Sequence, residues 1–147
     1  MALMRVFYED WQMECCGTPF TVGDEVGWRL VAMDGEHVRE GGWEEERRKY
    51  GGLSWVENHG RPSHETTGLV RAIDLVHQEY AEHSPGAHTF EPVSGTRSLT
   101  AVDSCPKWFE QEEHRTESGL RRTRRTAGVL VTLDVAGAAP PEPRDRP

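Results

Sequence analysis

The run TGLVRAIDLVHQEY, residues 67–80, is the longest regular stretch of the chain and does most to restrict its fold. Two periods fit it. With a period of two, Leu69, Arg71, Ile73, Leu75 and His77 face one way, while Val70, Ala72, Asp74, Val76 and Gln78 face the other. With a helical period, Leu69, Ala72, Ile73, Val76 and Tyr80 make an apolar stripe that Thr66 or Thr67 would cap. The β-branched residues and the neighbouring segments favour a long bent strand.

Those neighbours are MRVFYED (4–10), VGDEVGWRLVAM (22–33), LSWV (53–56), HTFEPV (88–93), RSLTAVDSC (97–105) and LRRTRRTAGVLVTLDV (120–135). They are rich in β-formers, and most are punctuated by glycine or proline turns. In 22–33, Val26, Trp28, Leu30 and Ala32 share one side, with Val31 and Met33 on the other, which predicts cover on both faces near the end of that strand; Val129–Val135 reads as a buried apolar run. The expected fold is all-β and mainly antiparallel, a small barrel or compact sandwich with minor helix. Closure into a barrel would remove exposed edges.

Three stretches interrupt this pattern. DGEHVREGGWEEERRKYGG, residues 34–52, reads as a charged, solvated loop. Glu44 with Arg48 and Glu45 with Lys49 have i, i+4 spacing, but eight residues make a marginal helix. PKWFEQEEHRTESG, residues 106–119, reads as a polar connection opening with one helical turn after Pro106. The tail at 136–147 carries four prolines and no large apolar residue, which predicts disorder. A single β-rich domain over 1–135 follows.

At 147 residues the chain can build one core. Its 25 acids against 17 bases give a net charge of −8, a field that opposes nonspecific nucleic-acid binding. The arginine cluster Arg121, Arg122, Arg124 and Arg125 opposes that trend locally and marks the place where a nucleic-acid partner would bind. Alternating Arg and Thr on a strand is also an edge-protecting device, so nucleic acid is not the expected partner. No stretch approaches the roughly 20 apolar residues of a membrane span, and the N-terminus lacks a signal-peptide core. A cytoplasmic location is expected, with the three cysteines as thiols and no structural disulfide.

Chemistry-bearing residues are few. In DWQMECCGTPF, residues 10–20, Cys15 and Cys16 would point to opposite faces if extended, and would converge in a turn ending at Gly17. Packing thiols are the expected reading, and the acids Asp10 and Glu14 work against a reactive thiolate. Cys105 before Pro106 would stand at a helix start. Glu57, His59 and His64 share one loop, ENHGRPSH. No cofactor or metal is expected; a metal, if bound, would draw on Cys15, Cys16, Cys105, His59 and His64. Of the five tryptophans, Trp28 and Trp55 suit the core, while Trp11 and Trp108 suit a groove. No phosphate-binding glycine loop, GxSxG or HExxH occurs, which weakens nucleotide hydrolysis, α/β-hydrolase chemistry and zincin proteolysis.

The string VFYEDWQMECCGTPFTVGDEVGWRL resembles a family of small, uncharacterised actinobacterial proteins defined only as a domain of unknown function. ENHG, TTGLVRAI and DSCPKWF are similar to that family too, so the resemblance covers most of 4–135. It implies one domain and brings no activity, substrate or cofactor. The expected role is a non-catalytic binding or regulatory module for a protein or small-molecule ligand, with no catalytic residues. Its working surface is expected where Asp10, Trp11, Gln12 and Cys15 meet His59 of the ENHG loop. A metal–thiolate protein or enzyme built on the cysteines and histidines, and a nucleic-acid binder using Arg121–Arg125, are the rival readings.

Overall fold

The 67–80 run is a strand. The computed structural model describes residues 2–59, 65–109 and 112–136; His64 and residues 137–147 of the expected tail lie outside them. In chain order the elements are β1 (Ala2–Glu9), α1 (Asp10–Cys16), β2 (Glu25–Trp28), β3 (Leu30–Ala32), α2 (Gly35–Gly41) and α3 (Glu44–Tyr50). They continue with β4 (Ser54–Val56), β5 (Thr66–Glu82), β6 (Phe90–Pro92), β7 (Ser98–Val102), β8 (Glu112–Glu117) and β9 (Leu120–Val135). Strand makes up 52% of the structure and helix 17%, so the all-β expectation holds.

The sheet is mixed and nearly closed into a barrel, in the order β2-β5-β9-β1-β4-β3. Its spine is the antiparallel β5–β9 ladder, running from Leu69 opposite Asp134 to Ala81 opposite Arg122. Register shifts at Val70/Ala72 and Val76/His77 leave Arg71 and Ala127 as extra residues, which bend the two long strands. Near-closure comes from one extended segment that changes partners. Its first half, β2, pairs with β5; its second half, β3, pairs with β4; only Arg29 separates them.

Alternation along the central strands fills two apolar clusters on opposite faces. Val6, Tyr8, Val129, Val131 and Leu133 join Met13, Phe20, Trp28 and Ile73 in one. Phe7 and Leu130 join Val38, Trp43, Leu53 and Val76 in the other. Burial on both sides explains why Val129, Leu130 and Val131 are apolar in succession in β9.

Two interruptions are more ordered than the sequence suggests. Residues 34–52 form α2 and α3 instead of a solvated loop. Asp34 caps α2 by accepting from the His37 N–H, and Gly42 ends it in the left-handed conformation at φ +70°. Helices this short are unstable alone. Val38 and Trp43 anchor them in the second cluster, with the Trp43 ring 4.6 Å from that of Phe7. The second correction is at 106–119: no helical turn follows Pro106 among the described residues, and 112–117 are strand β8. β8 turns through Ser118 and Gly119, at φ +54° and +79°, into the arginine-bearing half of β9. No helix among the described residues is long and apolar enough to cross a membrane.

Gly128 is the tightest point of the ladder between β1 and β9. It lies opposite Glu9 at φ +148°, and a Cβ there would overlap the Tyr8 carbonyl oxygen and come within 3.0 Å of the Glu9 Cα. Backbone cannot yield as a flexible side chain does. Gly128→Ala should therefore cost about 3 kcal/mol, read as a lower urea midpoint at unchanged slope.

Candidate functional site

The site sits where two strands end side by side. β1 and β4 pair in parallel, Val6 with Ser54 and Phe7 with Trp55. Their C-terminal extensions, α1 and the segment Glu57–His59, therefore leave the sheet at the same end. The DWQMECC stretch is helical, not a strand end and turn. In a helix, residues three and four apart share a side, so Trp11, Gln12 and Cys15 stand on one arc while Met13 enters the core. The last turn is held by Lys107, whose ammonium donates to the carbonyls of Met13 (2.8 Å) and Gly17 (3.0 Å).

Gln12, almost fully buried, organises the approach of the second segment. Its Oε1 accepts from the Asn58 N–H at 3.1 Å and lies 3.2 Å from His59 Nδ1; its Nε2 donates to Glu57 Oε1 at 3.2 Å. The Asn58 amide donates to the Tyr8 hydroxyl at 2.9 Å and the Gln12 carbonyl at 3.3 Å. Arg29 donates to the Asn58 carbonyl at 2.7 Å. His59 stacks on Trp11, with ring centroids 5.2 Å apart, and its backbone N–H donates to Glu57 at 2.8 Å. Burial works to raise the Glu57 carboxyl, but the bonds from His59 and Gln12 outweigh it and hold the group below its ordinary range.

His59 Nε2 then faces both thiol positions, 3.4 Å from Cys15 Sγ and 3.3 Å from Cys16 Sγ. Two expectations are corrected here. Cys15 and Cys16 are exposed, not packed as filler, and their sulfurs converge and are joined as a vicinal disulfide. Neighbouring side chains are about 100° apart around a helix, against about 180° in an extended segment, which lets the two sulfurs approach. Cys105 does not join them. It lies in the first apolar cluster, at no helix start, and burial pushes its thiol up to about 12, so it is an inert packing group. Cys15, Cys16 and His59 place their ligating atoms within 4.8 Å of one another. Asp10 turns elsewhere: it accepts from the Trp11 N–H and pairs with Arg125.

A cleft of about 430 Å³ adjoins this corner. Trp11 and Gln12 form part of its wall, with Phe7, Trp43, Trp55 and Tyr80 as further apolar surface and Glu9, Glu40 and Glu57 as acids. Arg97 and Arg125 also reach it, but both are committed. Arg97 donates to Glu46, Gln78 and the carbonyls of Gly41 and Gly42, and lies 3.8 Å over the Trp43 ring. Arg125 pairs with Asp10 and lies over Tyr80. Burial raises the Glu9 carboxyl above its ordinary range. Trp43 is a contributor that sequence reasoning missed; a tryptophan between a glycine pair and an acidic run is costly to leave in water, which was the available signal. Trp108 is 61% exposed and lines no part of this cleft.

The arginine cluster has internal partners. Arg122 and Arg115 pair with Glu79, Arg121 with Glu82, and Arg124 donates to the Thr96 carbonyl and the Ser98 hydroxyl. These contacts hold β8, β9 and β5 together.

The sequence matches the model of a family of unknown function (DUF6578) over residues 2–135, and the chain belongs to that family. No curated protein and no solved structure matches it.

Glu82 gives the arginine ladder a pH signature. Hydrogen bonds from the Arg121 side chain and backbone hold its carboxyl at about 2, against an ordinary 4.5. A depressed carboxyl stabilises the fold above its unfolded value, and that contribution fades as pH falls toward the folded value. Urea unfolding of Arg121→Gln should show reduced stability at pH 7, with the gap to the parent narrowing between pH 4.5 and 2.

Proposed function

We propose that this family member is a non-catalytic binding module, and that its cleft takes a small organic cation with an apolar body. The working surface is the cleft together with the corner formed by Trp11, Gln12, Cys15 and His59. One observation carries the reading: the cleft's two guanidinium groups are already paired with Glu46 and Asp10, acids outside the lining, while the carboxylates Glu9, Glu40 and Glu57 line it. Aromatic walls and carboxylates together suit an ammonium or guanidinium head, through ring faces and ion pairing. The volume is that of a small-molecule site. Asp10 serves indirectly, by holding Arg125 against Tyr80. Cytoplasmic residence fits this role.

Tryptophan fluorescence tests it. Phenethylammonium should bind saturably and phenylpropionate, the same body with an anionic head, should not. Glu9→Gln should weaken the amine about tenfold, a loss of roughly 1.4 kcal/mol. The parent's affinity should fall as pH drops into the carboxylate range, because protonated Glu9 no longer attracts a cation. Equal binding of acid and amine, or binding of neither, removes the proposal.

A further inference from the structure

The corner carries a second reading that does not depend on what the cleft binds. Its starting point is the tautomer of His59. The Asn58 backbone N–H is only a donor, so the Gln12 atom it meets must be the amide oxygen, and the amide nitrogen must face Glu57. That same oxygen lies against His59 Nδ1, so Nδ1 carries the proton of the neutral ring and donates it. Nε2 is left with its lone pair directed at Cys15 and Cys16 Sγ. An imidazole fixed through one nitrogen by a buried amide, with the other bare and aimed at two sulfurs, is the outer-sphere arrangement of a metal ligand.

We infer that reduction of the Cys15–Cys16 pair opens a metal centre in which Cys15 Sγ, Cys16 Sγ and His59 Nε2 hold one soft or borderline ion of the zinc class. The spacing suits it. In a tetrahedral zinc centre, with Zn–S about 2.3 Å and Zn–N about 2.0 Å, sulfur and nitrogen lie about 3.5 Å apart. Here the separations are 3.4 and 3.3 Å. Thiolate and imidazole together select zinc-class ions over calcium or magnesium. Exposure of all three residues leaves the fourth position to water or an added ligand.

The chemistry balances. A dithiol, or a phosphine with water, supplies two electrons and two protons; the S–S bond breaks, two thiols form, and the reductant becomes a disulfide or a phosphine oxide. Metal entry then releases both thiol protons to solvent, while the imidazole gives up none. In the disulfide state the sulfurs are not thiolates and the centre is closed, so metal affinity reports the redox state.

The test uses the full chain, reduced with a phosphine under metal-free conditions, freed of reductant, and titrated with zinc against a chromophoric chelator. One zinc per chain should bind the reduced protein and none the oxidised protein. Cys15→Ser, Cys16→Ser and His59→Ala should each weaken binding about a hundredfold or more, while Cys105→Ser should leave it unchanged. Circular dichroism confirms that each variant is folded, and Glu9→Gln should keep full zinc affinity, which separates this centre from the cleft. Absence of stoichiometric zinc in the reduced protein, equal binding by the oxidised protein, or parental affinity in folded His59→Ala overturns the inference.

Discussion

Parallel pairing of β1 with β4 is the constraint from which the rest of the molecule follows. A hairpin cannot join parallel strands, so the chain needs a long crossover between them, and residues 10–53 supply it. That crossover builds nearly everything distinctive. It contains α1 with the cysteines, the β2–β3 segment that nearly closes the barrel, and the α2–α3 pair that covers the second apolar cluster. The same pairing brings α1 and the Glu57–His59 segment together at one end of the sheet.

The long strands were legible because their signal is local. β5 and β9 alternate, and burial on both faces of β9 is written in the consecutive apolar residues Val129, Leu130 and Val131. The corner was partly legible for a different reason. Asp10, Trp11, Gln12, Cys15 and His59 are polar or reactive residues at breaks between strands, where function collects. The structure brings four of them together, and their ligand-binding role remains a proposal.

What escaped the sequence is tertiary in origin. The seven residues of α2 and of α3 are too few to hold a helix by propensity; Trp43 and Val38 stabilise them by burial against Phe7 and Leu130. β8 has no apolar alternation, and its strand character comes from pairing with the arginine half of β9. The fate of Cys15 and Cys16 turned on seven residues being helical instead of extended, a choice that Lys107, distant in sequence, supports by capping the last turn. The arginine cluster reads as an outward-facing basic patch until the acids of β5 are placed beside it.

Gln12 belongs both to the sulfur–imidazole corner and to the wall of the cleft. A primary amide offers one acceptor oxygen and one donor nitrogen in a fixed plane, so its two ends cannot be set independently. Here the oxygen is held by Asn58 and His59 and the nitrogen by Glu57, whose carboxylate lines the cleft. Trp11 makes a second link, since it stacks on His59 and also forms part of the cleft wall. Two side chains of one short helix thus belong both to the sulfur–imidazole corner and to the wall of the cleft.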